Sequence, residues 1–197
     1  MSVDLLALAR QRFGFKSFRP GQEPAIRALV DGHDVLAVLP TGAGKSAIYQ
    51  IAGGVLPGPT VVVSPLIALQ QDQAQKLETP RSGGAAIVNS AVAQTAQHDT
   101  FVDLAGDQLE FVFLAPEQLA RADVLEKLNA ARPSLLVIDE AHCISEWGHD
   151  FRPDYMRIGA VIAALGRPRV LALTATAPPD VRKEIIARLA LESPHVV

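Results

Sequence analysis

The chain has 197 residues, 49% of them apolar and 20% charged, enough to bury a sizeable core and unlike a disordered, low-complexity polymer. Its 18 Lys and Arg against 21 Asp and Glu give a net charge of -3, so the whole chain carries no nucleic-acid-binding signature, and any such contact must be local. Cys143 is the only cysteine, and no apolar run reaches the roughly twenty residues of a membrane span or resembles a secretion signal, which predicts a cytoplasmic chain with no membrane partner.

In chain order, one-face amphipathic patterns over 3–13 and 25–32 predict a helical preface, residues 1–32, ahead of a core at 33–197. Six short apolar runs follow, at 34–39, 60–64, 85–88, 109–115, 134–139 and 169–174. Each is nearly continuous rather than alternating, as expected of a strand covered on both faces. Helix-like segments lie between them at 45–56, 66–77 and 178–191, the last opening on prolines that a first helical turn tolerates. Strand, helix and strand at this spacing predict an α/β fold, a parallel sheet flanked by helices on both faces. The stretch 79–84 reads as a loop, and the chain reaches "SPHVV" where a further strand could start.

The first strand runs into "LPTGAGKS", residues 39–46. Gly42 and Gly44 let the backbone aim N–H groups at phosphate oxygens, and the next helix presents its positive end. Thr41, Gly42, Ala43, Gly44, Lys45 and Ser46 are the candidate ATP contacts, with Lys45 toward the β and γ phosphates and the Ser46 hydroxyl toward Mg2+. The general pattern begins with Gly, and Leu39 stands there instead.

The fifth run ends in "DEAH", residues 139–142. Asp139 there can hold a Mg2+ ion that Ser46 also approaches, and Glu140 can orient and deprotonate an attacking water. Both motifs follow buried strands of one parallel sheet, so they meet at the carboxyl edge where such sheets bind ligands. Immediately downstream, "CISEWGHDFRPDY" holds the only Trp and one of two Tyr in a chain that is 5% aromatic, mixed with charged residues. His142, Cys143, His149 and Asp150 are metal-ligating types, but adjacent His and Cys splay apart, which disfavours zinc.

Together "FGFKSFRPGQ" (13–22), "PTGAGKS", "DEAHCIS", "WGHDFRPDY" and "LTATA" resemble, in that order, the first motor domain of the RecQ family of DNA helicases. The resemblance covers about residues 13–177, and "FRPGQ" with "WGHDFRP" separates it from RNA helicases that share DEAH. It implies a RecA-like P-loop NTPase domain of superfamily two, an ATP hydrolase that moves 3′ to 5′ along single-stranded DNA and separates duplexes. It implies that Gln22 reads adenine, with Phe15 and Arg19 beside the base. It also implies that Ser64 contacts a DNA phosphate, and that Trp147 and Phe151 stack on bases while Arg152 meets phosphate. Thr174 and Thr176 would partner the DEAH turn, with His142 a neutral imidazole that couples across the cleft to a second motor domain.

Two departures stand out. Gln118 occupies a position where the family usually carries Arg, which puts a charged contact there in doubt. These 197 residues hold one motor domain, whereas in this motor class ATP sits between two such domains and the second supplies arginines, so a second is expected elsewhere in a longer chain. The expectation is therefore one ATP-binding domain over 1–197, part of a longer enzyme and poorly active alone, that would sit in the cytoplasm, or on the nucleoid if bacterial. The rival readings are an RNA helicase and a non-helicase P-loop ATPase.

Overall fold

The computed structural model describes residues 3–79, 82–146 and 150–197. Seven strands form a sheet: β1 Val35–Val38, β2 Thr60–Val63, β3 Ala85–Val88, β4 Phe111–Leu114, β5 Leu135–Ile138, β6 Arg169–Thr174 and β7 His195–Val196. The order across the sheet is β3-β4-β2-β5-β6-β1-β7, and every pairing is parallel. The six apolar runs are the first six strands, most of them trimmed at the ends. The two-residue β7 completes the edge at "HV", bonded to β1 through Val197 N–H to the Leu36 carbonyl at 3.0 Å.

Alternate strand residues feed two separate cores. Val35, Ala37, Val62, Phe113, Val137 and Leu171 pack on one face, under α1 Leu5–Phe13, α2 Gln22–Val30, α3 Ser46–Gly53 and α4 Ile67–Leu77. Leu36, Val61, Leu114, Ile138 and Ala172 point the other way, under α5 Gln94–Ala105, α6 Ala122–Ala131, α7 Ile158–Ala164 and α8 Pro179–Arg188. A strand residue facing either layer leaves water, at about 1.5–3 kcal/mol for a fully buried aliphatic side chain, and this is why the runs cannot alternate with polar residues.

The helical preface is held by local devices. Asp4 caps α1 by accepting the Ala7 N–H at 3.0 Å, and Gly14 ends it with φ 76°, a left-handed turn that costs glycine little. Gly21 at φ 84° makes the next bend, so α2 starts at Gln22, three residues ahead of the amphipathic pattern. Among the described residues no helix is long and apolar enough to cross a membrane.

Candidate active site

The strand order brings the two chemical motifs together. β6 lies between β1, which leads into residues 39–46, and β5, which leads into residues 139–142. Val38 and Thr174 are partners in register, so Thr174 stands at the carboxyl edge between the two loops. β2 and β5 are also neighbours, with Val63 opposite Ile138, which places Ser64 beside Asp139.

In the phosphate-loop segment Gly42 and Gly44 have φ of 83° and 76°, values that a side chain would strain. Ala43 N–H closes a turn on the Pro40 carbonyl at 3.0 Å. Among the described residues, the N–H groups of Gly42, Gly44, Lys45 and Ser46 donate to no protein acceptor, which suits a loop built to cradle an anion. Lys45 Nζ donates to the Leu39 carbonyl at 3.3 Å, and Thr41 is exposed. Leu39 itself is buried and packs against the place where a Cβ on Gly21 would sit, 2.8 Å from its Cδ2. The departure from the general pattern thus ties the loop to the preface.

The preface also reaches the loop through polar contacts. Gln22 Oε1 accepts the Arg19 N–H at 2.8 Å, and its Nε2 donates to the carbonyls of Ala43 at 3.0 Å and Gly44 at 2.9 Å. Arg19 donates to the Gly42 carbonyl. Phe15 is half-buried, 6.3 Å from Phe13 between ring centroids, and lines a cavity of about 810 Å3 with Ser46 and Gln50. The amide of Gln22 is thus directed at the loop backbone, and the space beside Phe15 is open enough for a base.

On the acid side, Asp139 is fixed from three directions. Its N–H donates to the Val63 carbonyl at 2.9 Å, Ser64 Oγ donates to its Oδ2 at 3.1 Å, and Tyr155 Oη donates to its carbonyl at 2.9 Å. Burial and then the charge of Glu140 push the Asp139 carboxyl above its ordinary range, with the Ser64 hydrogen bond opposing. A divalent cation would relieve that strain, and the oxygen donors of Ser46 and Asp139 suit Mg2+.

Glu140 takes φ 49°, an unusual left-handed conformation for a non-glycine residue, which turns its carboxylate toward His142. His142 Nδ1 is 3.3 Å from Glu140 Oε2 and 3.0 Å from Thr174 Oγ1, and that hydroxyl donates to the Thr176 carbonyl at 3.0 Å. With its hydrogen committed, Thr174 Oγ1 accepts from the ring. Nε2 faces Cys143 Sγ at 3.9 Å and Asp150 Oδ2 at 3.8 Å. The sulfur and the Glu140 carboxylate push His142 up to about 10, and the histidine in turn holds Glu140 low. The sequence leads to the expectation of a neutral imidazole, whereas the acceptors facing both ring nitrogens favour the protonated ring. Thr176 joins this chain through its backbone rather than its hydroxyl.

Other expected contacts divide. Phe151 is 39% exposed and Arg152 is exposed, both available at the surface. Trp147 and His149 lie outside the described residues. Ser64 is 3% exposed, with its N–H donating to the Leu114 carbonyl at 3.1 Å and its hydroxyl to Asp139, so in this structure both donors are engaged within the domain. Gln118 is also buried and accepts from Arg121 Nη1 at 3.1 Å. Sequence reasoning missed Tyr155, whose ring is fully buried, and the contact of Ser145 with Glu184 on α8, 2.5 Å long.

The chain is 47% identical over 182 residues to the probable ATP-dependent DNA helicase RecS of Bacillus subtilis, covering 92% of this chain and 36% of that protein. Similarity extends at 44% identity to the ATP-dependent DNA helicase Q5 of Rattus norvegicus, where it covers 92% of this chain and 19% of the relative. The chain thus spans about a third or less of these curated relatives. Among solved structures, the helicase MrfA bound to DNA superimposes with a TM-score of 0.76 at 17% identity, over 99% of this chain and 27% of that one. A hypothetical ATP-dependent RNA helicase from Sulfolobus tokodaii gives 0.70 at 23%, over 99% and 56%. Both are likenesses of fold. The DEAD/DEAH box helicase family matches residues 19–185, a span that contains the phosphate loop, the acid pair and the β6 strand between them. By that match the chain belongs to the DEAD/DEAH box helicase family.

Proposed function

We propose that this chain is the ATP-binding motor domain of a RecQ-like 3′ to 5′ DNA helicase, acting with a second RecA-like domain to couple ATP hydrolysis to translocation on single-stranded DNA and duplex unwinding. The observation that carries the reading is the placement of β6 between the phosphate loop and the acid pair, with Thr174 bridging toward His142. Sequence similarity to DNA helicases of this type supports it.

In this reading the N–H groups of Gly42, Gly44, Lys45 and Ser46 and the Lys45 ammonium receive the phosphates, while Phe15, Arg19 and Gln22 surround the base. Ser46 and Asp139 would hold Mg2+, which when bound supplies positive charge against the phosphate oxygens. Glu140 orients the water. Because His142 lowers its basicity, Glu140 suits positioning more than taking the proton early. The cationic His142 ties Glu140 to Thr174, so a shift of the loop beyond residue 143, where Trp147, Phe151 and Arg152 would meet DNA, reaches the hydrolytic side chains. Ser64 acts through Asp139. The enzyme would work in the cytoplasm, on the nucleoid in a bacterium.

The decisive experiment is nucleotide choice, read by competition against a fluorescent ATP analogue. ATP should compete at least tenfold better than GTP, and Gln22→Ala should erase the difference. Equal competition by GTP against the unmodified protein would overturn the adenine-reading role. Single-stranded DNA should outdo RNA as an activator of ATP hydrolysis once the second motor domain is present.

A further inference from the structure

The carboxyl edge of the sheet is the side on which parallel α/β proteins bind ligands, and the opposite edge normally serves stability alone. Here the opposite edge holds a cavity of about 470 Å3, where the loops entering β1, β5 and β6 converge. Gly32 forms one wall, Asn129, Arg132 and Ser134 a second, and Arg167 and Arg169 a third.

Three guanidinium groups therefore line one opening in a chain of net charge -3. Only Arg167 is compensated: it lies 3.3 Å from Glu192 and 3.9 Å from Asp34, and it donates to the Ala190 carbonyl at 2.9 Å. Asp34 is already engaged, since its two oxygens accept the N–H groups of Val170 at 2.9 Å and Glu192 at 3.0 Å. Among the described residues the Arg132 side chain has no ion pair or hydrogen bond. Arg169 Nε is buried with no hydrogen-bond partner among the described residues. A buried charged donor left unsatisfied is costly, and stability alone would favour an apolar residue or a carboxylate beside it.

We propose that this cavity is a second anion site, which takes a phosphate group. Arg is the side chain whose planar fork matches phosphate oxygens, and forks arriving from two loops suit a tetrahedral, multiply charged oxyanion better than a flat carboxylate, which one fork satisfies. Asn129 and Ser134 add neutral polar groups to the lining, although Ser134 Oγ already donates to the Gly58 carbonyl at 2.9 Å. The volume exceeds that of a bare phosphate and leaves room for the group to which it is esterified. Gly32 stands at the rim, where a Cβ would lie 3.8 Å from Arg169 Nη2. The site stands independently of the ATP-binding reading.

The test is a residue-resolved NMR titration of the protein with inorganic phosphate at constant ionic strength, which separates this cavity from the phosphate loop by the resonances that move. Saturable shifts are expected at Gly32, Arg167 and Arg169, including the Arg169 Nε–Hε signal. Arg132→Ala, a change at an exposed side chain, should weaken this binding about tenfold, the size of one charged hydrogen-bonding partner. Arg169→Lys should do the same, because a point charge cannot replace a fork. A single-stranded oligonucleotide that displaces phosphate from these resonances identifies the source as a nucleic-acid strand. Phosphate binding that the oligonucleotide leaves untouched identifies a free phosphate or its small esters. Absence of saturable shifts at these residues, or phosphate affinity in both variants equal to that of the unmodified protein, overturns the proposal.

Discussion

Tyr155 donates its hydroxyl hydrogen to the main-chain carbonyl of Asp139 at 2.9 Å, so the far end of the loop that begins after DEAH is bonded back to the first acid of that motif. The ring is fully buried, and burial raises its pKa, so the phenol stays a donor across the working range. Tyr155→Phe keeps the packing and removes one hydrogen bond to a carbonyl, which should lower unfolding stability by about 1–2 kcal/mol in urea titrations. Tyr155→Ala also opens a cavity and should cost about 3–5 kcal/mol.

Ser64→Ala removes the only side-chain donor to the Asp139 carboxylate among the described residues. The Ser64 hydrogen bond opposes the upward push of burial, so its loss raises the carboxyl further and leaves it a poorer partner for a cation. The Mg2+ concentration needed for half-maximal nucleotide binding should rise about tenfold, as expected for one bond to a charged group. An unchanged Mg2+ requirement would show that Ser64 serves something other than the acid.

The start of the loop is held by α8. Ser145 donates to Glu184, and Arg188 bonds Glu184 at 2.7 Å and Glu146 at 3.0 Å. Glu184→Gln weakens this anchor without touching the phosphate loop or the acid pair. In the enzyme with its second motor domain, DNA stimulation of ATP hydrolysis should fall several-fold while hydrolysis without DNA is retained. Steady-state assays with and without single-stranded DNA measure both.

Glu110 provides a pH dependence of stability. Burial, opposed by Arg12 at 3.8 Å, pushes its carboxyl from 4.5 up to about 7, and among the described residues Oε1 has no hydrogen-bond partner. Between those values the folded protein keeps a proton that the unfolded chain releases, so stability falls as pH rises from about 4.5 to about 7 and then levels off. Glu110→Gln should remove that slope and leave the variant the more stable of the two at pH 8. Thermal unfolding of both proteins across this range reads the difference directly.

The parallel sheet was legible because burial on two faces forces continuous apolar runs, and the phosphate loop and acid pair were legible because their residue types follow from the chemistry. Some of the rest had no sequence signal. The segment "QTAQHDTFVDLA" of α5 buries only Gln97, Phe101 and Leu104, too few apolar residues for a helical stripe. The start of α2 at Gln22 depends on a bend at Gly21, not on periodicity. Within the site, the upward push on His142 rests on the Cys143 sulfur and the Glu140 carboxylate being turned toward its ring, and the inward turn of Ser64 rests on the register of β2 against β5. Tyr155 sat in plain view among the other rings of its loop. Composition could not tell which ring faces the core.

The central place of β6 has a consequence for how the protein opens. The phosphate loop and the acid pair hang from strands that both share their ladders with β6, so neither strand can detach without breaking β6 bonds as well. Native-state amide exchange in β1, β5 and β6 should therefore proceed only through global unfolding, while α1 and the edge strand β7 exchange through smaller openings. A denaturant able to separate the phosphate loop from the acid pair has to break the centre of the sheet, so loss of that junction and loss of the fold become one event.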